Sequence, residues 1–435
     1  MRYLIVGNGI ASVRAAEAIR RWTKTASVTI VGDEPETVYS RPLIHRVLAG
    51  EKPAQSLVVY GPDWFKSRRI LLLAGERAVE LRAPSQEVVL ASGNRLAYDR
   101  LLVATGASPM MPPVEGKEKA AVFGFRTLGD IRQITHVKEA RRAVVLGSGP
   151  VALLAAEALR KRGLHVRMVV RRDQVLRRIL DGTAANILQR RLEDNGIEVL
   201  TCSEPAGVVG SRGNGTAVCL TDGRELRCDL AVAATGVNPN VDLLPGSGVG
   251  VERGVPVDEH MRTNLPNVWA AGDVTETTDL LTGRRAVSAL WPTAAEQGRV
   301  AGENMVGIER YYEGYVPMNS LHTFGLPCIV FGRTTPMESE QAIVDFDPSV
   351  PRYRKVVLDG GRVVGYIGLG DVSGAGVYLW MLRRKVVLPE WGDDVLKMDY
   401  ARVVRLDGNG LCPDGASVLS LGRFANHANA VDYTR

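Results

Sequence analysis

Short apolar runs alternate with helical patterns along most of the chain, and the first such run stands at its start. Tyr3–Val6 is apolar throughout, and the turn Gly7–Gly9 leads directly into a segment with helical spacing of apolar residues. The same order returns at Ala143–Leu146, which precede the turn Gly147–Gly149 and a second helical pattern. Each of these two segments predicts a strand, a tight turn and a helix.

The neighbouring apolar runs predict how the two strand–turn–helix units continue. Residues 1–110 alternate between strand and helix patterns, with short strands around Leu71–Leu73 and Glu87–Leu90. The stretch 111–116 contains adjacent prolines and predicts a linker that crosses to the second unit, at about 117–240.

A second crossing is predicted where Asn238–Asn240 and Pro245–Gly248 interrupt the pattern. The strand pattern of the first unit then resumes at Val255–Asp258 and Asn267–Val274. The first domain is therefore expected to be discontinuous in sequence, with the second domain inserted into it.

The pattern changes again from about residue 311. Tyr353–Leu358 and Arg362–Ile367 flank an Asp-Gly-Gly turn, which predicts a β-hairpin. A helix of a few turns is predicted over Gly374–Arg384. After about residue 395 no periodicity remains.

These patterns predict an α/β fold with two Rossmann-like dinucleotide-binding domains and a small C-terminal α+β domain. The predicted boundaries are 1–113 with 245–310 for the first domain, 114–244 for the second, 311–395 for the third and 396–435 for a tail.

The two glycine-rich turns have the spacing that lets a backbone approach a pyrophosphate. The first glycine permits the turn, the second leaves room for phosphate, and the third position is small so that the helix packs on the strand. These positions are Gly7, Gly9 and Ser12 in the first motif and Gly147, Gly149 and Ala152 in the second. A glycine-rich turn without a ligand is the alternative for each. Two such motifs in one chain favour two bound nucleotides with electron transfer between them.

The residues that follow the second strand of each unit differ in charge. Asp33 and Glu34 end the strand of the first unit, where a carboxylate can accept both ribose hydroxyls of an adenosine. Glu34 is the preferred candidate and Asp33 the second; either could instead cap the following turn.

In the second unit, Arg171 and Arg172 stand at the corresponding place and Arg177 follows. Guanidinium groups pair with a 2′-phosphate, which favours NADP(H) over NAD(H). A solvated basic loop is the alternative, so the choice of nucleotide stays open.

Composition narrows the classes of function. The chain has 45% hydrophobic residues and a net charge of +6, and it contains no apolar run long enough to span a membrane. The first strand starts almost at Met1, so no signal segment is expected and the cytoplasm is the simplest compartment. Basic runs lack interleaved aromatic residues, so we expect solvated faces or a dock for an acidic partner rather than nucleic-acid binding.

The cysteines and histidines show no metal-ligand spacing, so no zinc or iron–sulfur site is expected. No Cys-x-x-Cys pair is present, and the cysteines are scattered at Cys202, Cys219, Cys228, Cys328 and Cys412.

Several further motifs resemble those of one known superfamily. They are Tyr39–Leu43, Tyr98–Gly106, Phe125–Asp130, Ala234–Gly236, Ala271–Asp273, Trp291–Arg299 and Met318–Pro327. With the two glycine motifs, they resemble the FAD- and NAD(P)-dependent pyridine nucleotide–disulfide oxidoreductases over about residues 1–395. Within that superfamily the chain most resembles the single-flavin NAD(P)H reductases of rubredoxin, ferredoxin and nitrite reductase type.

The resemblance implies FAD in the first domain and NAD(P)H in the second. The candidate residues for FAD are Gly7, Gly9, Ala11, Ser12, Asp33, Glu34, Arg41, Pro42, Arg46, Ala78, Ala104, Thr105, Gly106, Arg126, Gly272, Asp273 and Trp291. The candidates for the second nucleotide are Gly147, Gly149, Pro150, Val151, Arg171, Arg172, Arg177 and Gly236.

The resemblance also implies individual roles around the flavin. Tyr39–Leu43 is expected to run over the FAD pyrophosphate, and Arg126 to lie near the flavin. Asp273 is expected to hydrogen-bond the ribityl chain. The helix that begins at Trp291 is expected to direct its positive end at the N1–C2 edge of the flavin.

Three departures from the superfamily pattern stand out. The stretch Ser40–Arg46 has no cysteine, which disfavours disulfide, peroxide and coenzyme-A disulfide chemistry. Arg46 replaces a usual lysine and Leu154 a usual glutamate, a pair that is near the flavin in relatives. Arg46, the one candidate catalytic residue, could pair with another acid, and Glu157 lies three residues beyond Leu154.

The resemblance implies electron transfer between NAD(P)H and an iron–sulfur protein or a partner subunit carrying clusters, in either direction. A more specific expectation is the flavin subunit of an anaerobic 2-oxoacid dehydrogenase of the phenylglyoxylate type. The alternatives are a binding or signalling module like apoptosis-inducing factor, and an NAD(P)H oxidase that uses O2. Both a homo-oligomer and a hetero-complex are open.

Overall fold

The computed structural model describes residues 1–115, 121–211, 215–388 and 395–396. These residues form two compact units. The first contains Met1–Asp173 and Gly196–Tyr315, and the second contains Gln174–Asn195 and the described residues from Val316 onward. Both glycine-rich motifs lie in the first compact unit. This division therefore does not separate the two predicted nucleotide-binding domains, and their boundaries stay predictions. Residues 397–435 of the predicted tail lie outside the described part.

The α-helices of the described residues are α1 Ile10–Trp22, α2 Ile44–Leu48, α3 Pro62–Ser67, α4 Leu128–His136, α5 Pro150–Lys161, α6 Gly182–Asp194, α7 Trp291–Met305 and α8 Ala375–Arg384. Short 3-10 turns occupy Arg41–Leu43 and Ala54–Leu57.

The strands up to the second glycine motif are β1 Arg2–Val6, β2 Ser27–Gly32, β3 Val38–Tyr39, β4 Val58–Tyr60, β5 Ile70–Ala74, β6 Ala78–Arg82, β7 Glu87–Leu90, β8 Arg95–Ala97, β9 Arg100–Val103, β10 Ala107–Pro109, β11 Val114–Glu115, β12 Val122–Phe123 and β13 Arg142–Leu146. The later strands are β14 His165–Val169, β15 Ile197–Leu200, β16 Pro205–Ser211, β17 Gly215–Leu220, β18 Glu225–Cys228, β19 Leu230–Ala233, β20 Val237–Pro239, β21 Val255–Pro256, β22 Val268–Ala270, β23 Thr275–Thr278, β24 Arg285–Val287, β25 Met318–Thr323, β26 Leu326–Gly332, β27 Gln341–Asp347, β28 Arg352–Asp359 and β29 Arg362–Leu369.

Two parallel five-stranded sheets carry the glycine-rich turns. The first has the order β22-β9-β1-β2-β5, and the second has the order β12-β19-β13-β14-β15. Each glycine-rich turn follows an inner strand, β1 or β13, whose apolar residues are buried. Both sheets thus place their turn at the carboxyl edge, where ligands bind in parallel α/β sheets.

Two short strands pair close to the predicted crossings, whereas Val114–Glu115 of the predicted linker 111–116 form β11 and pair with β16. β10 and β20 are antiparallel, with Ala107 opposite Pro239 and Pro109 opposite Val237. The short strands predicted at Leu71–Leu73 and Glu87–Leu90 are confirmed as parts of β5 and β7. β22 comes after the second glycine-rich motif in the sequence, but it joins the first sheet beside β9. The first sheet is therefore discontinuous in sequence.

Helices α1 and α7 pack closely because small residues face each other. A side chain at Gly298 would place its Cβ 2.1 Å from the carbonyl oxygen of Ala11, and one at Gly302 would come within 2.5 Å of the carbonyl oxygen of Ala15. These glycines therefore let α7 lie against the helix that starts at the first glycine-rich turn.

The second compact unit contains an antiparallel sheet with the order β25-β26-β29-β28-β27. The predicted hairpin is confirmed as β28 and β29, and the predicted helix as α8, which begins after Gly374 in a left-handed conformation (φ +74°). The α/β fold with a small C-terminal α+β part is therefore as predicted. None of the helices in the described ranges is long and apolar enough to cross a membrane.

Within this unit, α6 is tied to β28 through Asp181. The carboxylate accepts hydrogen bonds from the Tyr353 hydroxyl at 2.6 Å and the Lys355 ammonium at 2.9 Å, and it caps α6 through the backbone N–H of Ala184. The Lys355 side chain is only 8% exposed. Burial alone would raise the pKa of Asp181, but the bonds from Tyr353 and Lys355 outweigh it and hold that pKa below its usual value.

We expect Asp181→Asn to destabilise this unit by about 3 kcal/mol, because a buried ammonium loses its counter-charge while the cap is kept. Since the pKa is lowered in the folded state, the contribution is present above the unfolded pKa near 3.8 and is lost as the pH falls through the folded value. Hydrogen exchange of β28 followed by mass spectrometry measures the change. Asp194→Asn, at an exposed position of the same helix, is the matched control; equal protection in the two variants would contradict the prediction.

Candidate active site

The first glycine-rich turn contains two glycines with different surroundings. Gly7 has φ +111°, and a Cβ there would lie 2.1 Å from the carbonyl oxygen of Ala104. Gly9 has the extended backbone that any residue adopts, and a Cβ there would meet no protein atom within 4 Å. Packing within the protein therefore explains Gly7, whereas Gly9 leaves open space beside the start of α1.

The second turn repeats this geometry. Gly147 has φ +128°, and a Cβ there would lie 2.3 Å from the carbonyl oxygen of Ala234. Gly149 is extended and faces open space in the same way. Pro150 occupies the first position of α5, where its missing N–H costs no hydrogen bond, and the following Val151 is exposed. The two motifs are thus structurally equivalent at the glycine that would approach a phosphate.

The two Ala-Thr-Gly stretches lie next to these turns and are bonded across the crossing strands. Thr105 Oγ1 donates to the carbonyl oxygen of Asn240 at 2.6 Å, and Thr235 Oγ1 donates to that of Met110 at 3.2 Å. The backbone N–H of Asn240 donates to Gly106 in the same region. The structure therefore brings Ala104–Gly106 and Ala234–Gly236 to the same pair of strands.

The loop after β2 is held against the first turn by a residue that the motif did not single out. Asn8 Nδ2 donates to the carbonyl oxygens of Glu34 at 3.1 Å and Glu36 at 3.0 Å. Ser12, at the third motif position, is fully buried, and its Oγ has no hydrogen-bond partner among the described residues. A polar residue between the two glycines was the available signal for Asn8.

The two candidate acids have different environments. Asp33 is exposed, whereas the Glu34 carboxylate is largely buried and accepts a 2.5 Å hydrogen bond from the Tyr39 hydroxyl. Arg41 forms an ion pair with Glu34. Burial raises the pKa of Tyr39, so its hydroxyl stays protonated and donates. Pro42, next to Arg41, is exposed, and Ala78 lies half-buried in β6.

A second ion pair joins Arg126 to Asp273. Asp130 positions Arg126, because its carboxylate accepts the backbone N–H groups of Arg126 and Thr127 at 2.8 Å and completes the capping box of α4. Arg41 also donates to the carbonyl oxygen of Arg126 at 3.5 Å. The ion pairs Glu34–Arg41 and Arg126–Asp273 are therefore linked through the backbone of Arg126.

The loop that carries Asp273 is fixed to α7 by Gln297. The Gln297 Oε1 accepts the backbone N–H of Gly272 at 2.7 Å and the hydroxyl of Thr275 at 3.0 Å. Trp291 at the start of α7 packs against the core of the first sheet. The motif from Trp291 to Arg299 included Gln297, but its role as a clamp depends on contacts that the sequence does not show.

Arg46 lies half-buried in α2, and no described acid lies within ion-pair distance of it. Glu157, the acid considered as its partner, is bound instead to Lys161, with 2.7 Å between Oε1 and Nζ. Lys161 also pairs with Glu51 at 2.7 Å. Among the described residues, Glu157 is therefore not the ion-pair partner of Arg46, and the role of Arg46 stays a prediction.

Two of the arginines predicted near the second nucleotide lie at the carboxyl end of β14, in the sheet that follows the second glycine-rich motif. Arg171 and Arg172 follow the end of β14 and are exposed, and Arg171 lies 3.7 Å from Glu204. Arg177 is exposed too, but it belongs to the second compact unit.

No disulfide joins the described cysteines Cys202, Cys219, Cys228 and Cys328. Burial raises the pKa of Cys228 and of Cys328 to about 12, so both are thiols at neutral pH. No group of His, Cys, Asp and Glu in the described residues could hold a metal ion. Cys412 lies outside the described residues.

Comparison with known proteins accounts for most of the chain. Residues 1–298 match the model of the pyridine nucleotide-disulphide oxidoreductases. The chain belongs to this family. It is a family of FAD-dependent NAD(P)H oxidoreductases, as the motifs indicated. Residues 317–385 of this oxidoreductase match the model of the rubredoxin NAD+ reductase C-terminal domain.

Relatives of the oxidoreductase include subunits of larger assemblies. It is 32% identical over 391 residues to the epsilon subunit of an NADH-dependent phenylglyoxylate dehydrogenase of Aromatoleum evansii, covering 89% of this chain and 92% of that subunit. It is equally 32% identical to a nitrite reductase [NAD(P)H] of Bacillus subtilis over 89% of this chain but only 48% of that enzyme, so it spans about half of it. A ferredoxin reductase structure from Rhodopseudomonas palustris has the same fold (TM-score 0.84, 23% identity, 92% and 99% coverage).

Proposed function

We propose that this oxidoreductase binds FAD at the first glycine-rich turn and NAD(P)H at the second, and carries electrons between the nucleotide and an iron–sulfur protein or partner subunit. The observation that carries the proposal is the equivalence of Gly9 and Gly149. Neither backbone conformation nor contact with the protein requires glycine there, and both lie at the start of a helix. A pyrophosphate needs both the space and the free N–H groups of the helix.

The residues around the first turn fit FAD chemically. The Glu34 carboxylate accepts from Tyr39 and Arg41 and has further lone pairs to accept from ribose hydroxyls, and Arg41 and Arg126 supply positive charge for phosphate or flavin oxygens. Asp273, held by Gln297, offers an acceptor for the ribityl hydroxyls. When bound, FAD supplies the acceptor for hydride and passes electrons on singly or in pairs. The chain supplies binding, orientation and the positive end of α7.

The absence of a cysteine from Ser40–Arg46 supports direct delivery of electrons to a docked partner. The match of residues 317–385 to the rubredoxin NAD+ reductase domain favours a small iron–sulfur acceptor. The phenylglyoxylate dehydrogenase relative favours a second candidate, in which this chain is the NAD(P)-linked flavin subunit of a 2-oxoacid dehydrogenase complex. Location in the cytoplasm is part of the proposal.

Anaerobic stopped-flow absorbance tests the proposal. The purified protein is mixed with NADH or NADPH, and rapid bleaching of the flavin band at about the rate of acceptor turnover is expected. A yellow protein that NAD(P)H does not bleach would contradict the proposal and favour a binding or signalling module. Peroxide formation in air as fast as acceptor reduction would favour an oxidase.

The choice of nucleotide is tested at Arg171 and Arg172. We expect the double variant Arg171→Ala, Arg172→Ala to lose about tenfold in kcat/KM with NADPH, because a charge-assisted phosphate contact is worth about 1.5 kcal/mol. The value with NADH should stay close to that of the wild type. Arg224→Ala, at another exposed arginine, is the matched control, and equal losses with both nucleotides would contradict a 2′-phosphate site.

A further inference from the structure

Two helices join the proposed nucleotide sites in the first compact unit. α5 starts at Gly149 in the second turn and ends with Lys161. α2 follows the segment Tyr39–Leu43 and ends at Leu48, before the turn that carries Glu51. Lys161 connects the far ends of these helices, since its Nζ lies 2.7 Å from Glu51 Oε1.

On the side of α2, the turn that carries Glu51 is hydrogen-bonded to the helix. The backbone N–H groups of Glu51 and Lys52 both donate to the carbonyl oxygen of Arg46, at 2.9 and 3.3 Å, which folds the turn back onto the helix. Arg162 adds a parallel bond from its Nη1 to the carbonyl oxygen of Leu48 at 3.3 Å. A shift of Glu51 is therefore transmitted to α2.

The link is also fixed on the side of α5. Lys161 Nζ lies 2.7 Å from Glu157 Oε1, one turn earlier on the helix. The Glu157 side chain is only 5% exposed, and its second oxygen has no hydrogen-bond partner among the described residues. Lys161 is therefore the counter-charge that lets a carboxylate be buried in α5. These bonds raise the pKa of Lys161 against the effect of its burial, so the ammonium is charged at neutral pH.

Among the described residues, no ion pair connects the ends of these helices nearer the glycine-rich turn. Arg46 meets no described acid at ion-pair distance, and Leu154 is apolar. We propose that Lys161 is a positioning residue for hydride transfer, which holds α5 against α2 and so sets the distance and angle between the nicotinamide and the flavin. This role rests on the proposed function, because it requires the two nucleotides at the two turns. Rates of hydride transfer are sensitive to displacements of about 1 Å.

Three substitutions test the role by stopped-flow reduction at saturating NAD(P)H. Glu51→Gln removes the negative charge that holds Lys161 to α2 and so weakens the link, while Glu157 stays paired with Lys161 and folding is expected to be preserved. Lys161→Met removes the bond to Glu51 and also leaves the Glu157 carboxylate without its counter-charge. Lys161→Arg keeps the positive charge at this position. We expect about a tenfold lower rate constant for flavin reduction in Glu51→Gln and Lys161→Met. The nucleotide Kd and flavin content of Glu51→Gln should be unchanged, and Lys161→Arg should recover most of the rate.

A deuteride-transfer measurement separates positioning from a general loss of stability. With nucleotide deuterated at C4, the slowed variants should show a full primary isotope effect on flavin reduction, because hydride transfer itself is impaired. Arg224→Met, which breaks the exposed Arg224–Asp222 pair, is the control and should react like the wild type. Wild-type rates in Glu51→Gln would contradict the role of Lys161 but would leave the proposed function in place. A wild-type protein that NAD(P)H does not reduce would overturn the proposed function and this role with it.

Discussion

Gly9→Val is expected to give a folded protein that has lost its flavin. The added Cβ meets no protein atom within 4 Å, so we expect the fold to persist. The same space is where a pyrophosphate would approach the start of α1. Filling it should cost about 3 kcal/mol of binding, or about 100-fold in FAD affinity. The visible absorption of the purified protein and its FAD content after denaturation measure the loss.

Two other glycines provide controls for Gly9→Val. Gly61 has the same extended backbone, also precedes a helix and also has no protein atom within 4 Å, so Gly61→Val should remain yellow. Gly7→Val should instead fail to fold, because its Cβ would lie 2.1 Å from the carbonyl oxygen of Ala104. A Gly9→Val protein with its full FAD content would reject the first turn as the FAD site, and an unfolded one would contradict the inference that the protein itself does not require glycine there.

The contrast between Gly7 and Gly9 shows what sequence reasoning could reach. The motif identified both glycines and predicted the strand, turn and helix around them, because that pattern is local. It assigned the two residues their roles from a general rule. The structure separates them by contact, since Gly7 lies against Ala104, which follows β9 and is far away in the sequence.

The residues that sequence reasoning missed share this dependence on distant contacts. Asn8, Gln297 and Lys161 act by bonds to loops or helices that are remote along the chain. Periodicity gives no information on such pairs, and neither does a short motif. Asp181 is a further example, because its partners in β28 become its neighbours only when the second compact unit folds. The local sequence pattern therefore predicted the strands, turns and helices of the site. The contacts that fix its loops and helices depend on tertiary packing and could not be predicted from that pattern.

Gly149→Val is expected to keep the flavin and lose reduction by NAD(P)H. Gly149 and Gly9 have equivalent surroundings, but Gly149 lies at the start of α5, on the second sheet. A branched side chain there should lower nucleotide affinity by about 100-fold for the same steric reason. The rate of bleaching at low NADH or NADPH should fall by that factor, whereas dithionite should reduce the flavin as in the wild type.

The pair of valine variants tests the two-site arrangement more sharply than either alone. If the turns bind different nucleotides, Gly9→Val is colourless and Gly149→Val is yellow but slow, and no single defect explains both. Loss of flavin from Gly149→Val would mean that the second turn holds FAD or supports its site. Undiminished reduction in Gly149→Val would place NAD(P)H elsewhere, and the role inferred for Lys161 would then lose its basis, because α5 would no longer carry the nicotinamide.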